Sequence, residues 1–280
     1  MKKLKVMAAA VCALALAACM LAGCSSNNAS NDKKDAAATS SDKTTLIVGF
    51  DQSYPPYGFV GNDGNFTGFD LDLAAEVASR NGWDIQLEPI DWDAKDTLLN
   101  SGAITCIWNG FTMEGRENDY TFSDPYMLNE QVIVVKAGSD ISDFAGLSGK
   151  TVMTQVDSAA LDVLEGDQAA VAATFKGGAA KTIGDYNNAF MQLDSGVIDA
   201  VACDLSIAQY QIAANLDKYV QLSTPLSTEH YAVGFKKGDT ELAQKVTETL
   251  KQLDADGTVK QLCEKYASYG ISYDNWVLGK

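Results

Sequence analysis

Apolar runs of strand length alternate with helical patterns from about Thr44 to the C-terminus. The runs TLIVGF (45–50), DIQLEPI (84–90) and AITCIW (103–108) have the length and the side chains of buried strands. DLDLAAEVASRNG (70–82) places its apolar residues at helical spacing, and a second helix is predicted over about residues 94–100. Because strands that alternate with helices pair through βαβ units, the pattern predicts an α/β fold.

The first predicted helix and the segment before it carry local signals. Asp70 is predicted to be the N-cap, and Asn81 with Gly82 is predicted to end the helix. The preceding segment, YGFVGNDGNFTGF (57–69), predicts a hairpin that turns at residues 62–64.

The strand–helix pattern occurs twice. LNSGAITCIWNG (99–110) aligns with LDSGVIDAVACD (193–204), and TTLIVGFD (44–51) aligns with KTVMTQVD (150–157). The two offsets differ, as expected if the first half contains the additional hairpin. We interpret the repeat as two similar α/β lobes; chance similarity among βα units is the alternative.

Polar residues end the predicted strands in both halves. These are Asp51 and Asn109 in the first half, and Asp157 and Asp204 in the second. Because ligands of open α/β sheets bind beyond the carboxyl ends of the strands, two facing lobes would place these side chains around one cleft.

The first 23 residues have the pattern of a signal peptide. Three lysines precede an Ala-rich apolar run (6–21), and LAGC (21–24) resembles the bacterial lipobox. The resemblance implies that Cys24 becomes the first mature residue and carries lipid on its sulfur and amine. An ordinary signal peptide with an incidental cysteine is the alternative. Residues 25–43 are too polar to form a core and are predicted to be a disordered tether with a reach of roughly 25 Å.

Charge and composition exclude several classes of function. The chain has 21 Lys and Arg against 37 Asp and Glu, which argues against binding to nucleic acid or to anionic lipid. Cys106, Cys203 and Cys263 lie in the predicted body without CxxC spacing, so we expect small buried side chains, with no disulfide framework or zinc site. With a single histidine, His230, and no catalytic motif, the sequence indicates a binding protein that uses no metal and no cofactor.

Four segments in a fixed order are the most specific feature. They are DQSYPPY (51–57), DWD (91–93), WNGFTMEGREN (108–118) and TFSDPYM (121–127). With GFDLDLAAEVA, LSGKTV, SGVIDAV and YAVGFKKGD, they resemble polar amino-acid-binding proteins that serve ABC-type importers, of the glutamine-, histidine- and lysine/arginine-binding type. The likeness covers residues 46–266.

The resemblance implies the periplasmic-binding-protein-like fold, in which two α/β lobes are joined by two hinge strands. We expect the crossings near residues 131–135 and 230–234. After the signal (1–23) and the tether (24–43), lobe 1 would comprise residues 44–131 and 232–280. Lobe 2 would comprise residues 132–231.

The resemblance also assigns roles for a zwitterionic ligand. Arg116 matches the residue that holds the ligand carboxylate, and Ser158 and Ala159 match backbone donors that share it. Asp204 matches the acid that holds the α-ammonium. The remaining matches are two aromatic walls, two further ligand contacts and one acid near the ligand side chain: Tyr54 and Trp92, Asn109 and Phe111, and Asp51.

The predicted function is a lipid-anchored receptor on the outer face of the cell membrane. It would act as a monomer, bind a free amino acid and pass it to the membrane permease subunits of an ABC-type importer. A neutral polar or basic ligand is favoured over an acidic one, which Asp51 would repel. A small-carboxylate dehydratase on the same fold, with Arg116 as the clamp and Asp51 as the acid, is the alternative, and a signalling sensor domain is less favoured.

Overall fold

The structure, a computed structural model, describes residues 44–280. The predicted signal peptide, the lipidation site Cys24 and the tether lie outside the described residues. The strands are β1 Thr45–Phe50, β2 Ser53–Tyr54, β3 Gly58–Val60, β4 Phe66–Thr67, β5 Asp84–Pro89, β6 Cys106–Ile107, β7 Tyr120–Phe122, β8 Met127–Lys136, β9 Val152–Gln155, β10 Lys181–Ile183, β11 Ala200–Asp204, β12 Tyr219–Gln221, β13 Ser227–Tyr231 and β14 Gly234–Lys236. The helices are α1 Phe69–Asn81, α2 Lys95–Ser101, α3 Ala159–Glu165, α4 Ala169–Ala172, α5 Tyr186–Ser195, α6 Leu205–Ala214, α7 Thr240–Ala255 and α8 Thr258–Lys265.

Two mixed sheets with flanking helices give the predicted α/β, two-lobed architecture. The first sheet has the order β5-β1-β6-β14-β7, in which β1 runs parallel to β5 and β6. The second has the order β10-β9-β11-β8-β12, and β13 also pairs with β8. The predicted hairpin is present as β3 paired with β4, and β2 joins it to form a small third sheet.

The chain passes between the two large sheets twice. The first sheet ends at β7 and the second begins at β8, so the first passage precedes the predicted residues 131–135. Those residues pair with β11 and belong to the second sheet. The return passage, from β13 to β14, falls within the predicted residues 230–234. The lobe boundaries at 131 and 232 stay a prediction.

The prediction for the start of α1 is wrong by two positions. The helix begins at Phe69, and Gly68 occupies the N-cap. A Cβ atom on Gly68 would lie 2.1 Å from the carbonyl oxygen of Tyr57, so only glycine fits where the two backbone segments meet. Asp70 therefore lies inside the first turn, fully buried. The helix ends as predicted, with Gly82 in the left-handed conformation.

The repeated pattern corresponds to repeated structure. Helices α2 and α5 end at a serine and are followed by left-handed Gly102 and Gly196. Buried strands follow in both cases, although β6 is shorter than the predicted strand 103–108. The C-terminal helices return to the first lobe as predicted, since α7 and α8 both pack against α1.

The cores are apolar and include the three cysteines of the folded body. Cys106, Cys203 and Cys263 are buried, and each is a free thiol. Among residues 44–280, no helix has the length and apolar character needed to span a membrane.

Candidate functional site

Loops at the strand ends of both large sheets meet around a small cavity. Six of the nine predicted ligand-binding residues line it, together with two residues that the sequence did not single out. The lining residues are Tyr54, Trp92, Gly110, Thr112, Arg116, Ser158, Ala159 and Asp204.

Hydrogen bonds across the cavity hold the two lobes together in a closed arrangement. The indole Nε1 of Trp92 donates to the carbonyl oxygen of Asp157 at 3.1 Å. Gln155 Nε2 donates to Asp51 Oδ2 at 2.8 Å. Lys95, which is nearly buried, lies 3.4 Å from the Asp157 carboxylate. Each contact joins a residue beside the first sheet to a residue that follows or ends β9, so the structure has the cleft closed.

Arg116 lines the cavity, and one nitrogen of its guanidinium is already hydrogen-bonded within the protein. The group lies 5.1 Å above the ring of Phe111, which fixes its plane. Its Nη2 donates to the carbonyl oxygen of Asp157 at 3.3 Å and to Asp162 Oδ2 at 2.7 Å. The Arg116 side chain is 12% exposed and that of Asp162 is 59% exposed, so solvent screens this ion pair. Both bonds use Nη2, which leaves Nη1 and Nε as further donors.

Asp204 ends β11 and is buried in the cavity wall. Its Oδ1 accepts hydrogen bonds from Tyr231 Oη at 2.7 Å, Gln131 Nε2 at 2.7 Å and Asn129 Nδ2 at 3.0 Å. Burial raises the pKa of Asp204 above its usual value, and these donors partly offset the effect. These three donors share Oδ1, and the Tyr54 hydroxyl is close enough to Asp204 to lower its pKa as well.

Aromatic side chains supply the remaining walls. Tyr54 is 6% exposed, and its hydroxyl oxygen lies 3.4 Å from that of Tyr231. Trp92 begins a single 3-10 turn before α2 and packs edge-on against Phe111, with 5.8 Å between ring centroids. Rings held in this way present rigid apolar faces to the cavity.

The second lobe contributes the start of α3. Ser158 is the N-cap, and its Oγ accepts from Leu161 N at 3.2 Å and lies 3.1 Å from Thr154 Oγ1. The hydroxyl is thus engaged in the fold. Ala159, as the first residue of α3, has a backbone N–H without a partner in the preceding turn. The preceding residue, Asp157, has a φ of 53°, which turns the chain into the helix.

Asp51 lies outside the central cavity, at the cleft mouth. Its Oδ1 accepts from Ser53 N at 2.7 Å and its Oδ2 is the acceptor for Gln155. Burial raises its pKa, with smaller contributions from nearby carboxylates. It shares an acidic pocket of the cleft mouth with Asp91, Asp93 and Asp185, and Trp92 lines both this pocket and the cavity. Asp51 therefore connects the lobes rather than forming the wall of the inner cavity.

Asn109 and Phe111 lie beside the cavity, and their neighbours Gly110 and Thr112 line it. Phe111 is fully buried among aromatic rings, where it supports Arg116. Asn109 is 1% exposed, and neither of its amide atoms has a hydrogen-bond partner within residues 44–280. The assignment from resemblance thus falls one position away from the residues that form the wall.

Asp70 supports the wall from behind. Its Oδ2 accepts from Gly110 N at 2.6 Å and from Tyr126 Oη at 2.7 Å. Full burial raises its pKa to about 7, and both donors act in the opposite direction. Gly110 has a φ of 58°, and a Cβ there would meet Tyr231 and Tyr54 at 3.1–3.2 Å. A small residue held by a buried acid keeps this part of the cavity open.

Titratable groups of the described chain do not form a metal site. Within residues 44–280, no group of three or more His, Cys, Asp or Glu side chains could hold a metal ion. The cavity chemistry is instead one cation, one buried carboxylate, a hydroxyl and aromatic faces.

Two α/β lobes close over a cavity that is lined by a cation, Arg116, and a carboxylate, Asp204. This arrangement is typical of receptors that bind a small charged ligand between two lobes. The chain belongs to the bacterial extracellular solute-binding proteins, family 3, whose model matches residues 46–269. It is 28% identical over 228 residues to the L-cystine-binding protein TcyJ of Escherichia coli (strain K12), across 80% of this chain and 83% of the relative. The extracellular description of the family agrees with the predicted extracytoplasmic location.

Solved structures with the same fold also bind amino acids. An ABC uptake transporter substrate-binding protein from Streptococcus pneumoniae, with bound histidine, superposes with a TM-score of 0.78 and 33% identity, over 82% of this chain and 94% of that one. The ancestral amino acid-binding protein AncCDT-1, a precursor of cyclohexadienyl dehydratase, superposes with a TM-score of 0.71 and 30% identity. The match covers 79% of this chain and 95% of that one.

Proposed function

We propose that this chain is an extracytoplasmic receptor that binds a free polar amino acid and delivers it to an ABC-type permease. The observation that carries the proposal is that Arg116 and Asp204 line one interlobe cavity. A free amino acid is a zwitterion, so its receptor needs a cation and an anion at a fixed separation. Arg116 would hold the carboxylate through its planar fork, and Asp204 Oδ2 would accept from the ammonium.

Ligand binding would favour the closed arrangement because the ligand contacts both lobes. Arg116, Gly110 and Thr112 come from the first lobe, and Asp204 and Ala159 come from the second. A ligand that bonds both sides binds the closed state better than the open state, and this difference in affinity shifts the population.

The acidic cleft mouth favours a neutral polar or basic side chain. Asp51, Asp91, Asp93 and Asp185 line the pocket on the far side of Trp92. A ligand side chain that extends past Trp92 would meet negative charge, which repels a second carboxylate and attracts a cation. The similar proteins are named for ligands of several kinds, among them histidine, arginine and glutamate, so this preference rests on the acidic mouth.

A thermal-shift screen of the mature protein tests the proposal. Common amino acids, cystine and small carboxylates without an amine are compared at increasing concentration. We expect the largest rise in Tm for a neutral polar or basic amino acid, growing with concentration as mass action requires. If no amino acid raises the Tm, the receptor proposal fails. If an amine-free carboxylate is the best ligand, the dehydratase alternative is favoured.

We also propose that Cys24 carries the lipid that holds the receptor at the membrane. The support is the apolar run that ends in LAGC, followed by a polar segment long enough to separate the folded body from the bilayer. Cys24→Ser should move the protein from the membrane fraction to the soluble fraction or leave the signal uncleaved. Mass spectrometry that finds an unmodified Cys24, or cleavage elsewhere, contradicts the proposal.

A further inference from the structure

A second buried carboxylate, Glu229, lies beside Asp204 and has no role in the site described above. It is 2% exposed and is carried by β13, opposite Asn129 of β8 in the register of the two strands. These are the strands next to the two passages between the lobes. Glu229 also accepts a hydrogen bond from Thr112 Oγ1 at 2.8 Å, which connects it to the cavity wall.

Two amide side chains join the carboxylates. Asn129 Nδ2 lies 3.0 Å from Asp204 Oδ1 and 2.8 Å from Glu229 Oε1. Gln131 Nε2 lies 2.7 Å from both of the same oxygens. The two acid oxygens are thus held close together by two shared donors, neither of which carries a charge.

No cation compensates this pair. Within residues 44–280, no Lys or Arg forms an ion pair with Asp204 or Glu229. Two tyrosine hydroxyls lie at the pair: that of Tyr231 donates to Asp204, and that of Tyr54 lies 3.4 Å from the Tyr231 hydroxyl. Further titratable groups near Asp204 are Tyr57, Tyr186 and Cys203, and burial raises the pKa of each, which keeps them uncharged. His230 points to the opposite face of β13, where it pairs with Glu114 at 2.7 Å in a partly exposed position.

Two adjacent buried carboxylates cannot both ionise without a large penalty, because like charges at short range in a low dielectric repel strongly. Burial first and the Asp204 charge second raise the pKa of Glu229 to about 7. The short distance between the two acid oxygens and their burial therefore favour a state in which the pair holds one proton near neutral pH.

We propose that Glu229 is a positioning residue of the ammonium site, which shares one proton with Asp204 in the empty receptor and releases it when the ligand ammonium binds. The inference rests on the proposed amino-acid function. The ligand brings a positive charge to Asp204, and that charge stabilises both ionised carboxylates. Glu229 acts through Asn129 and Gln131, which hold Asp204 Oδ1 and leave Oδ2 for the ammonium.

The sign of the linkage follows from the protonation states. The empty receptor binds one more proton than the occupied receptor, so protons compete with the ligand below about pH 7. Affinity should therefore rise with pH up to this value, by at most about tenfold per pH unit for one released proton. Glu229→Gln keeps the side-chain size but cannot ionise, so only Asp204 still titrates in the pair and the affinity should depend on pH less than in the wild type over the same range.

Calorimetry in buffers with different ionisation enthalpies measures the released proton directly. At about pH 6, the wild type with its best amino acid should release a proton to the buffer, approaching one per ligand bound. Glu229→Gln should still bind and should release clearly fewer protons than the wild type, because only Asp204 can then change its protonation. Glu130→Gln, on the neighbouring strand β8, is the matched control and should behave as the wild type.

Equal proton release in wild type and Glu229→Gln would overturn the proposal, as would no release from the wild type. The ¹³C chemical shift of the Glu229 carboxyl in the ligand-free protein provides a test that does not need a ligand. It should titrate near neutral pH, and a carboxyl already ionised at about pH 5 would overturn the shared proton. If no amino acid gives a binding heat, the proposed function fails and the linkage falls with it, whereas the carboxyl shift still reports the state of the pair.

Discussion

Arg116→Ala is expected to weaken amino-acid binding by roughly thirty-fold to several thousand-fold while the protein stays folded. Removing one partner of a desolvated, hydrogen-bonded charge pair costs about 2–5 kcal/mol, and each 1.4 kcal/mol is about a tenfold change in Kd. The fold should survive because the Arg116 side chain contacts a carbonyl oxygen, the exposed Asp162 and one face of the Phe111 ring, which stays packed among other aromatic rings. Calorimetry gives the change in Kd, and circular dichroism checks the fold.

The chain offers a matched control for this variant. Arg80 is the other arginine of the described residues, and it pairs with Asp256 at 2.6 Å on the surface. Arg80→Ala should leave the Kd unchanged. Arg116→Lys should recover part of the binding, because an ammonium cannot reproduce the planar fork. Wild-type affinity in Arg116→Ala would mean that Arg116 is a surface cation and that the proposed site is wrong.

Asp204→Asn is expected to weaken amino-acid binding as strongly as Arg116→Ala does. In the absence of an amino acid, it should also stabilise the protein relative to wild type as the pH rises. Asparagine retains an oxygen for Asn129, Gln131 and Tyr231 but offers no charge to an ammonium. The folded-state pKa of Asp204 is raised, so its contribution to stability is present at low pH and is lost as the pH rises through that pKa. The free energy of unfolding, relative to wild type, should therefore increase from about pH 4 to pH 8.

Two measurements separate these effects. Calorimetry reports the loss of binding, and denaturant titration at both pH values reports the free energy of unfolding. Asp194→Asn is the control, because Asp194 pairs with Lys218 on the surface of the same lobe. Unchanged binding of an amino acid by Asp204→Asn would show that the ammonium lies elsewhere.

The fold could be predicted from the sequence because local pattern and global architecture agree. The strands β1 and β5 and the helices α1 and α2 lie within a residue or two of the predicted ranges. The first passage between the lobes precedes the predicted residues 131–135, because all of β8 pairs within the second sheet. The polar first half of β8 gives no local sign that it already belongs to that sheet.

Several cavity residues, among them Arg116 and Asp204, could be named from the sequence. The signal was the fixed order of the segments that carry them and the types of residue that follow the strands. Asn109 and Phe111 stay predictions as ligand contacts, although it is their neighbours Gly110 and Thr112 that line the cavity. Gly110 has a φ of 58°, so the chain turns within this segment, and the sequence does not show which side chains face the cavity. Thr112 donates its hydroxyl to the buried Glu229, a contact that no local pattern indicates.

The burial of Asp70 and Glu229 could not be predicted from the sequence. Asp70 had the pattern of an N-cap, and Glu229 stands in a polar stretch, STEH, that is typical of a surface strand. Their partners lie far away in the sequence: Asp70 contacts Gly110, and Glu229 contacts Thr112. Only the tertiary structure brings these groups together.

The three buried thiols have a consequence for how the protein responds to reductant. Burial raises the pKa of Cys106 and Cys203 well above the usual range, and that of Cys263 to about 12. Protonated thiols in a packed core are poor nucleophiles and exchange slowly with other thiols. Within residues 44–280 the folded body has no disulfide, so its native state should be insensitive to added reductant. The Tm should be the same with and without excess thiol.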